Sequence, residues 1–279
     1  MRLSICSFSF HRLLAEGKQD MFRYITDCKE LGCTQLDPWN AHLAQLKQGD
    51  DVLHAGRNPD AAKITAADDA YIDKVKAAAD EAGLPFGCIA VDGAHIYEDE
   101  PERRDANRRV AYRWLDIAHK VGAEQVRIDA GGPEDMPDSA FAVIKDGYRD
   151  LIDRGRDLGI RILFENHWGP TKHPANVLKL LEHIDGLGYL FDTRNWAPGE
   201  KQQGREQCAK YADAVHIKTL HFDENGDEPN EDIGGAIRLL LDSGYTGSWG
   251  IESVPRECDE YEGVRKTIAL IRRHTGGDS

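Results

Sequence analysis

The hydrophobic positions along the chain fall into two alternating rhythms. Short runs rich in β-branched and aromatic residues occur at 3–7, 34–37, 85–91, 125–129, 161–165, 189–192, 214–218 and 248–252. Their length and makeup are those of buried strands. Between and after them lie stretches with apolar residues at helical spacing: 21–31, 66–82, 101–121, 138–158, 174–183, 203–211, 232–241 and 261–274. Several of these announce their own ends. Gly32, Gly83, Gly122, Gly159 and Gly244 each stand just past a helical run, where a left-handed residue closes the last turn and glycine does so without strain. Pro101 and Pro174 suit a first helical turn, and Asp232 suits an N-cap.

Eight strand–helix units, with no Gly/Ser/Pro-rich linker between halves, predict an α/β fold of one kind: a single (β/α)8 TIM-barrel domain over residues 1–279. An open nucleotide-binding sheet would show G-x-G-x-x-G after its first strand. Here the first strand is followed by the stretch from Phe8 to Arg12, with no glycine before Gly17. The connections 39–66, 93–101 and 219–231 are long for plain βα turns and are expected as pocket walls or lids. The first of them is equally a candidate contact in a homo-oligomer.

Composition then narrows the function classes. Lys and Arg total 35 against 49 Asp and Glu, a net charge of −14. Such a field repels polyanions, so a nucleic-acid partner is not expected. The arginines between 103 and 109 fall on a helix of mixed charge and read as a solvated face. Six cysteines form no C-x-x-C pair, which points to reduced, buried thiols. No apolar stretch approaches the length of a membrane span, and the serine-broken amino terminus lacks a cleavage-site pattern. A cytoplasmic protein without membrane contact is expected.

In a barrel, chemistry sits where strands end and βα loops begin. Those positions carry a biased set of residues. Four consecutive predicted strands supply Glu165, Asp192, His216 and Glu252, three carboxylates and an imidazole. A divalent cation with oxygen and nitrogen preference suits them: Mn2+ first, with Mg2+, Co2+ and Zn2+ as alternatives. The cation would also relieve the mutual repulsion of the carboxylates. His95, Arg127, His167, Asn195 and Lys218 stand close by in the sequence pattern and are candidate substrate contacts. Trp39, Trp168 and Trp196 follow strand ends and either wall a sugar-sized pocket or pack against their own loops. The acidic run from Asp223 resembles a calcium loop for five residues, but Glu228 stands where its turn glycine belongs.

At 162–167, 189–192, 215–218 and 244–252 the chain resembles the xylose-isomerase-like TIM-barrel superfamily. The resemblance implies that Glu165, Asp192, His216 and Glu252 hold one divalent metal and that Glu165 and Glu252 double as an acid/base pair. The implied activity is a sugar or keto-sugar isomerase or epimerase working through a metal-bound enediolate. A lyase on the same site, either dehydratase or keto-glycoside β-eliminase, is the alternative, and a non-catalytic sugar-binding barrel is a second. Two departures bear on the choice. Asn195 stands where many epimerases of the superfamily carry histidine, and Phe222 where ketose epimerases carry arginine.

Overall fold

The computed structural model of the protein describes residues 1–44 and 68–276. Positions 45–66 of the long 39–66 connection, and the start of the predicted helix 66–82, lie outside the described residues. Among the described residues there are seven strands and ten α-helices; the strands are β1 (Leu3–Ile5), β2 (Cys88–Val91), β3 (Gln125–Ile128), β4 (Arg161–Glu165), β5 (Gly188–Asp192), β6 (Ala214–Thr219) and β7 (Trp249–Ser253). The helices surround them: α1 (His11–Ala15), α2 (Met21–Glu30), α3 (Asn40–Leu43), α4 (Asp69–Ala82), α5 (Pro101–Val121), α6 (Asp138–Leu158), α7 (Pro174–His183), α8 (Lys201–Cys208), α9 (Ile233–Asp242) and α10 (Glu260–Thr275). Every strand pair is parallel, in the order β1-β7-β6-β5-β4-β3-β2.

The predicted strand at 34–37 fills the gap between β1 and β2, but as single bridges. Cys6 pairs with Asp37, Leu36 with Phe86 and Trp39 with Ala90, all parallel. The interruption has a cause in Asp37. Its Oδ1 accepts the backbone N–H of Cys88 at 2.9 Å and the side-chain amide of Gln35 at 2.9 Å. Its other carboxylate oxygen takes the Ser4 hydroxyl. A side chain thus receives an amide that a regular ladder would give to a carbonyl. Gly87 makes the approach possible, because a Cβ there would overlap Gln35 Nε2 and Asp37 Oδ1. The eight positions around the sheet close the TIM barrel.

The helices follow local signals closely. α5, α6 and α7 occupy the predicted residues, and Gly83, Gly122 and Gly159 close their helices in the left-handed region. Asp232 caps α9 by accepting the N–H of Gly235. Unpredicted are the short α1 and α3. The apolar core lies mainly between sheet and helices, with Tyr24, Trp114, Tyr148 and Phe164 fully buried in it. A smaller cluster of Cys88, Leu163 and Leu190 fills the barrel interior. Leu163 and Leu190 precede Glu165 and Asp192 by two residues, so the same inward face is apolar below and acidic above.

Candidate active site

The strand register sets the acidic rim. Glu165 on β4 pairs with Leu190, Asp192 on β5 with His216, and His216 on β6 with Gly250. Glu252 lies two residues beyond Gly250 on β7, level with Lys218. The four groups therefore form a stepped row on the inward face rather than one level. The tilt of barrel strands brings such a row together. Ligand atoms of Glu165, Asp192, His216 and Glu252 all lie within 4.8 Å of one another, and all four residues are buried. Gly250 leaves the space beside the imidazole: a Cβ there would overlap the Val215 carbonyl oxygen and touch His216 Cδ2 at 3.4 Å.

Each carboxylate is gripped from one side. Asp192 Oδ1 accepts the backbone N–H groups of Arg194 at 2.6 Å and Asn195 at 2.9 Å. Asn166 fixes the same strand end, donating to the Asp192 carbonyl and accepting its N–H. Glu165 receives Asn195 Nδ2 at 3.3 Å and the Arg127 guanidinium at 3.0 Å. Glu252 lies 2.6 Å from Lys218 Nζ and 3.0 Å from His216 Nδ1. Yet Glu165 Oε2, Asp192 Oδ2 and His216 Nδ1 have no aligned hydrogen-bond partner among the described residues. Buried polar atoms are rarely left so.

The titration behaviour is that of a site short of positive charge. Burial, with Glu252 and Glu165 adding to it against Lys218, pushes Asp192 up to about 6. His216 is raised well above its ordinary value although burial opposes this, through Cys6, Glu165 and Glu252. Burial would raise Glu165, but His167 and Arg127 hold it low. Lys218 and His216 do the same, more strongly, for Glu252. Three carboxylates and one imidazole nitrogen with orphaned atoms fit a divalent cation in chemistry and in charge.

Above the four residues opens a cavity of about 980 Å3 that Glu165, His216 and Glu252 line. The other candidate contacts, His95, Arg127, His167, Asn195 and Lys218, line it too. Arg127 is locked rather than free: it is 4% exposed and lies 2.9 Å from Asp92, 3.1 Å from Asp129 and 3.0 Å from Glu165. His167 Nδ1 meets Asp129 Oδ2 at 3.0 Å. Burial works against its charge, but Asp129 and then Glu165 push it up to about 9. His95 pairs with Glu98 at 2.6 Å and stands edge-on to Trp168. Of the three tryptophans, Trp39 and Trp168 line the cavity, while Trp196 packs against Phe191 and Gly204. Asp92, Cys6, Phe8 and Tyr97 were not singled out from sequence and also line it. Asp92 directly follows β2, so the strand-end rule that finds the others applies to it as well.

The family comparison agrees with the fold: the profile of the xylose isomerase-like TIM barrel matches residues 25–274. The chain belongs to that family. Among solved structures, this xylose isomerase-like barrel is similar to 3-keto-D-glucoside 4-epimerase from E. coli, at 17% identity and a TM-score of 0.70, over 91% of this chain and 95% of that one. It is also similar to the probable 3-DHS dehydratase of Bacillus anthracis, at 14% identity and a TM-score of 0.67, over 99% of this chain and 99% of that one. A third likeness is to a xylose isomerase-like TIM barrel protein from Mycobacterium smegmatis in complex with magnesium, at 18% identity and a TM-score of 0.63, over 92% of this chain and 88% of that one. These likenesses establish the shared fold. No curated protein matches the chain by sequence.

Proposed function

We propose that the protein is a divalent-metal-dependent isomerase or epimerase of sugars or keto-sugars. The observation that carries this is the placing of Glu165 and Glu252: two glutamates, both held ionised, border one cavity from β4 and β7 at the same four-group cluster. Glu165, Asp192, His216 and Glu252 would hold the ion, Mn2+ in the first instance. When bound, the ion supplies Lewis-acid polarisation of a substrate carbonyl, which acidifies the neighbouring C–H.

The chain's own groups then divide the work. One glutamate, as carboxylate, takes the C–H proton. The other, after taking a proton from solvent, delivers that second proton to the opposite face or to the next carbon, and the first then releases its proton to water. Arg127 and Asn195 fix the Glu165 carboxylate, and Lys218 fixes that of Glu252. Lys218 also stands beside the cavity as a hydrogen-bond donor to oxygen that gains charge as the enediolate forms. The apolar cluster beneath the site keeps water from the inner side of the carboxylates.

The test is incubation with Mn2+ and a panel of keto-sugars and glycosides in D2O, read by mass spectrometry. Expected is deuterium gain in a substrate of otherwise unchanged mass. Loss of water or of an aglycone instead would make the protein a lyase. A sugar that binds but neither gains deuterium nor loses mass would overturn the catalytic reading and leave a sugar-binding barrel. Glu252→Gln should lower exchange by about 10²–10⁴-fold when measured at Mn2+ concentrations that keep most of the variant loaded; unchanged exchange would remove Glu252 from proton transfer.

A further inference from the structure

Resting on the metal-dependent sugar chemistry proposed above, we infer that the substrate is an uncharged sugar or glycoside and not a sugar phosphate. The first observation is the company kept by the cations of the cavity. Among the described lining residues, Arg127 lies against Asp92, Asp129 and Glu165, and Lys218 against Glu252. Arg103 pairs with Glu100, and His95 and His167 pair with Glu98 and Asp129. Six carboxylates line the cavity against three lysine or arginine side chains. An entering phosphate would add negative charge to a carboxylate excess and would have to draw the buried Arg127 and the part-buried Lys218 away from carboxylates they already balance, while Arg103 sits in an exposed pair with Glu100. A divalent ion at the four candidate ligands would offset most of that excess, so the stronger bar to a phosphate is the engagement of Arg127 and Lys218 with carboxylates.

The second observation concerns backbone amides. TIM barrels that bind phosphate do so on the loops after their last two strands and at the helix N-terminus nearby. Here those loops follow β6 and β7, and the chain's own carboxylates already hold their amides. Glu228, 5% exposed, accepts the N–H groups of Leu220 at 2.7 Å and His221 at 2.9 Å through one oxygen. Asp232 takes the N–H of Gly235 at the start of α9, at 2.7 Å. Asp259 takes that of Glu262 at the start of α10, at 2.8 Å. Arg194, two residues past Asp192, lies 3.3 Å from the same Glu228.

The cavity offers aromatic surface instead. Trp39 and Trp168 line it, and their indole N–H groups are tied to Asp92 and Asp129 at 2.9 Å each. These are the two carboxylates that flank Arg127. Trp39 is thus buried and held in the cavity wall, whereas Trp168, held by its polar edge and 37% exposed, keeps apolar ring surface for the C–H face of a sugar ring.

The experiment is calorimetric titration of the Mn2+-loaded protein with D-fructose, phenyl β-D-glucoside and their 6-phosphates, with inorganic phosphate as competitor. Expected is at least about tenfold tighter binding of a neutral compound than of its phosphate ester, with no displacement by inorganic phosphate. Trp168→Ala, at a side chain 37% exposed and outside the core, should weaken the neutral compound by a similar factor. A phosphate ester that binds as tightly as its parent, or displacement by inorganic phosphate, would overturn the inference. So would the absence of binding by any of the sugars. A Mn2+ titration of the same sample separates that failure from failure of the metal centre.

Discussion

Arg127 shows how far a single residue's role depends on neighbours distant in sequence. As a strand-end arginine it was a candidate substrate contact. In the fold it ties Asp92, Asp129 and Glu165 together and is almost fully buried. Asp92 stands 35 positions earlier, and no periodicity records that pairing. The four candidate ligands were legible because each lies on a strand with a clear apolar run, Glu165 and Asp192 at its end, Glu252 one residue before it and His216 within it. Partners across the barrel were not legible, because they depend on register. His42 on α3 gives a prediction at this scale. Burial first, with His11 adding to it, lowers its imidazole to about 3, and neither ring nitrogen has a hydrogen-bond partner among the described residues. The folded chain keeps it neutral, whereas the unfolded chain protonates near pH ~6.5. Its contribution is therefore intact above that pH and is lost on acidification toward about 3, at about 1.4 kcal/mol per pH unit. Urea midpoints should fall less between about pH 6.5 and about pH 5 in His42→Leu than in the parent. Parallel slopes would mean that His42 is protonated as easily in the fold as outside it.

At the scale of elements, strong local signals held and weak ones did not. α5, α6 and α7 were legible because proline or glycine marks one or both ends of a long amphipathic run. The segment 34–37 reads as a strand by composition, but a side chain interrupts its ladder, and no propensity encodes that. The 7–10 stretch alternates serine and phenylalanine like a strand continuing, yet it turns into a 3-10 helix ahead of α1. There the Ser9 hydroxyl reaches the carbonyl of Ile251 on β7. Gly250 carries the prediction that belongs to this scale. Gly250→Ala places a methyl group on the Val215 carbonyl at the β6–β7 pair, beside His216. Overpacking of this kind costs about 1–3 kcal/mol. The variant should melt lower and bind Mn2+ more weakly than the parent. An unchanged melt with unchanged Mn2+ affinity would show that the strand pair yields without disturbing the imidazole.

Across the whole molecule the charge balance takes on a local meaning. The net charge of −14 argues against polyanionic partners in bulk. Inside the barrel, part of the carboxylate excess gathers at one mouth, where a cation would offset it. No helix among the described residues is long and apolar enough to cross a membrane. Closure of the barrel brings β1 against β7, so residues near opposite ends of the sequence share one wall. Cys6 accordingly joins His216 and Glu252 in a cluster that sequence spacing could not reveal. An ion that binds only the folded barrel would stabilise it by about 2.7 kcal/mol at a hundredfold excess over its dissociation constant. The proposed chemistry depends on that ion. Its most direct test is titration of chelator-treated protein with Mn2+, followed by the loss of the free-ion paramagnetic resonance signal, in the parent and in Asp192→Asn. The account predicts one Mn2+ per parent chain and at least about tenfold weaker binding in the variant. No binding by the parent, or binding that Asp192→Asn leaves unchanged, would contradict it.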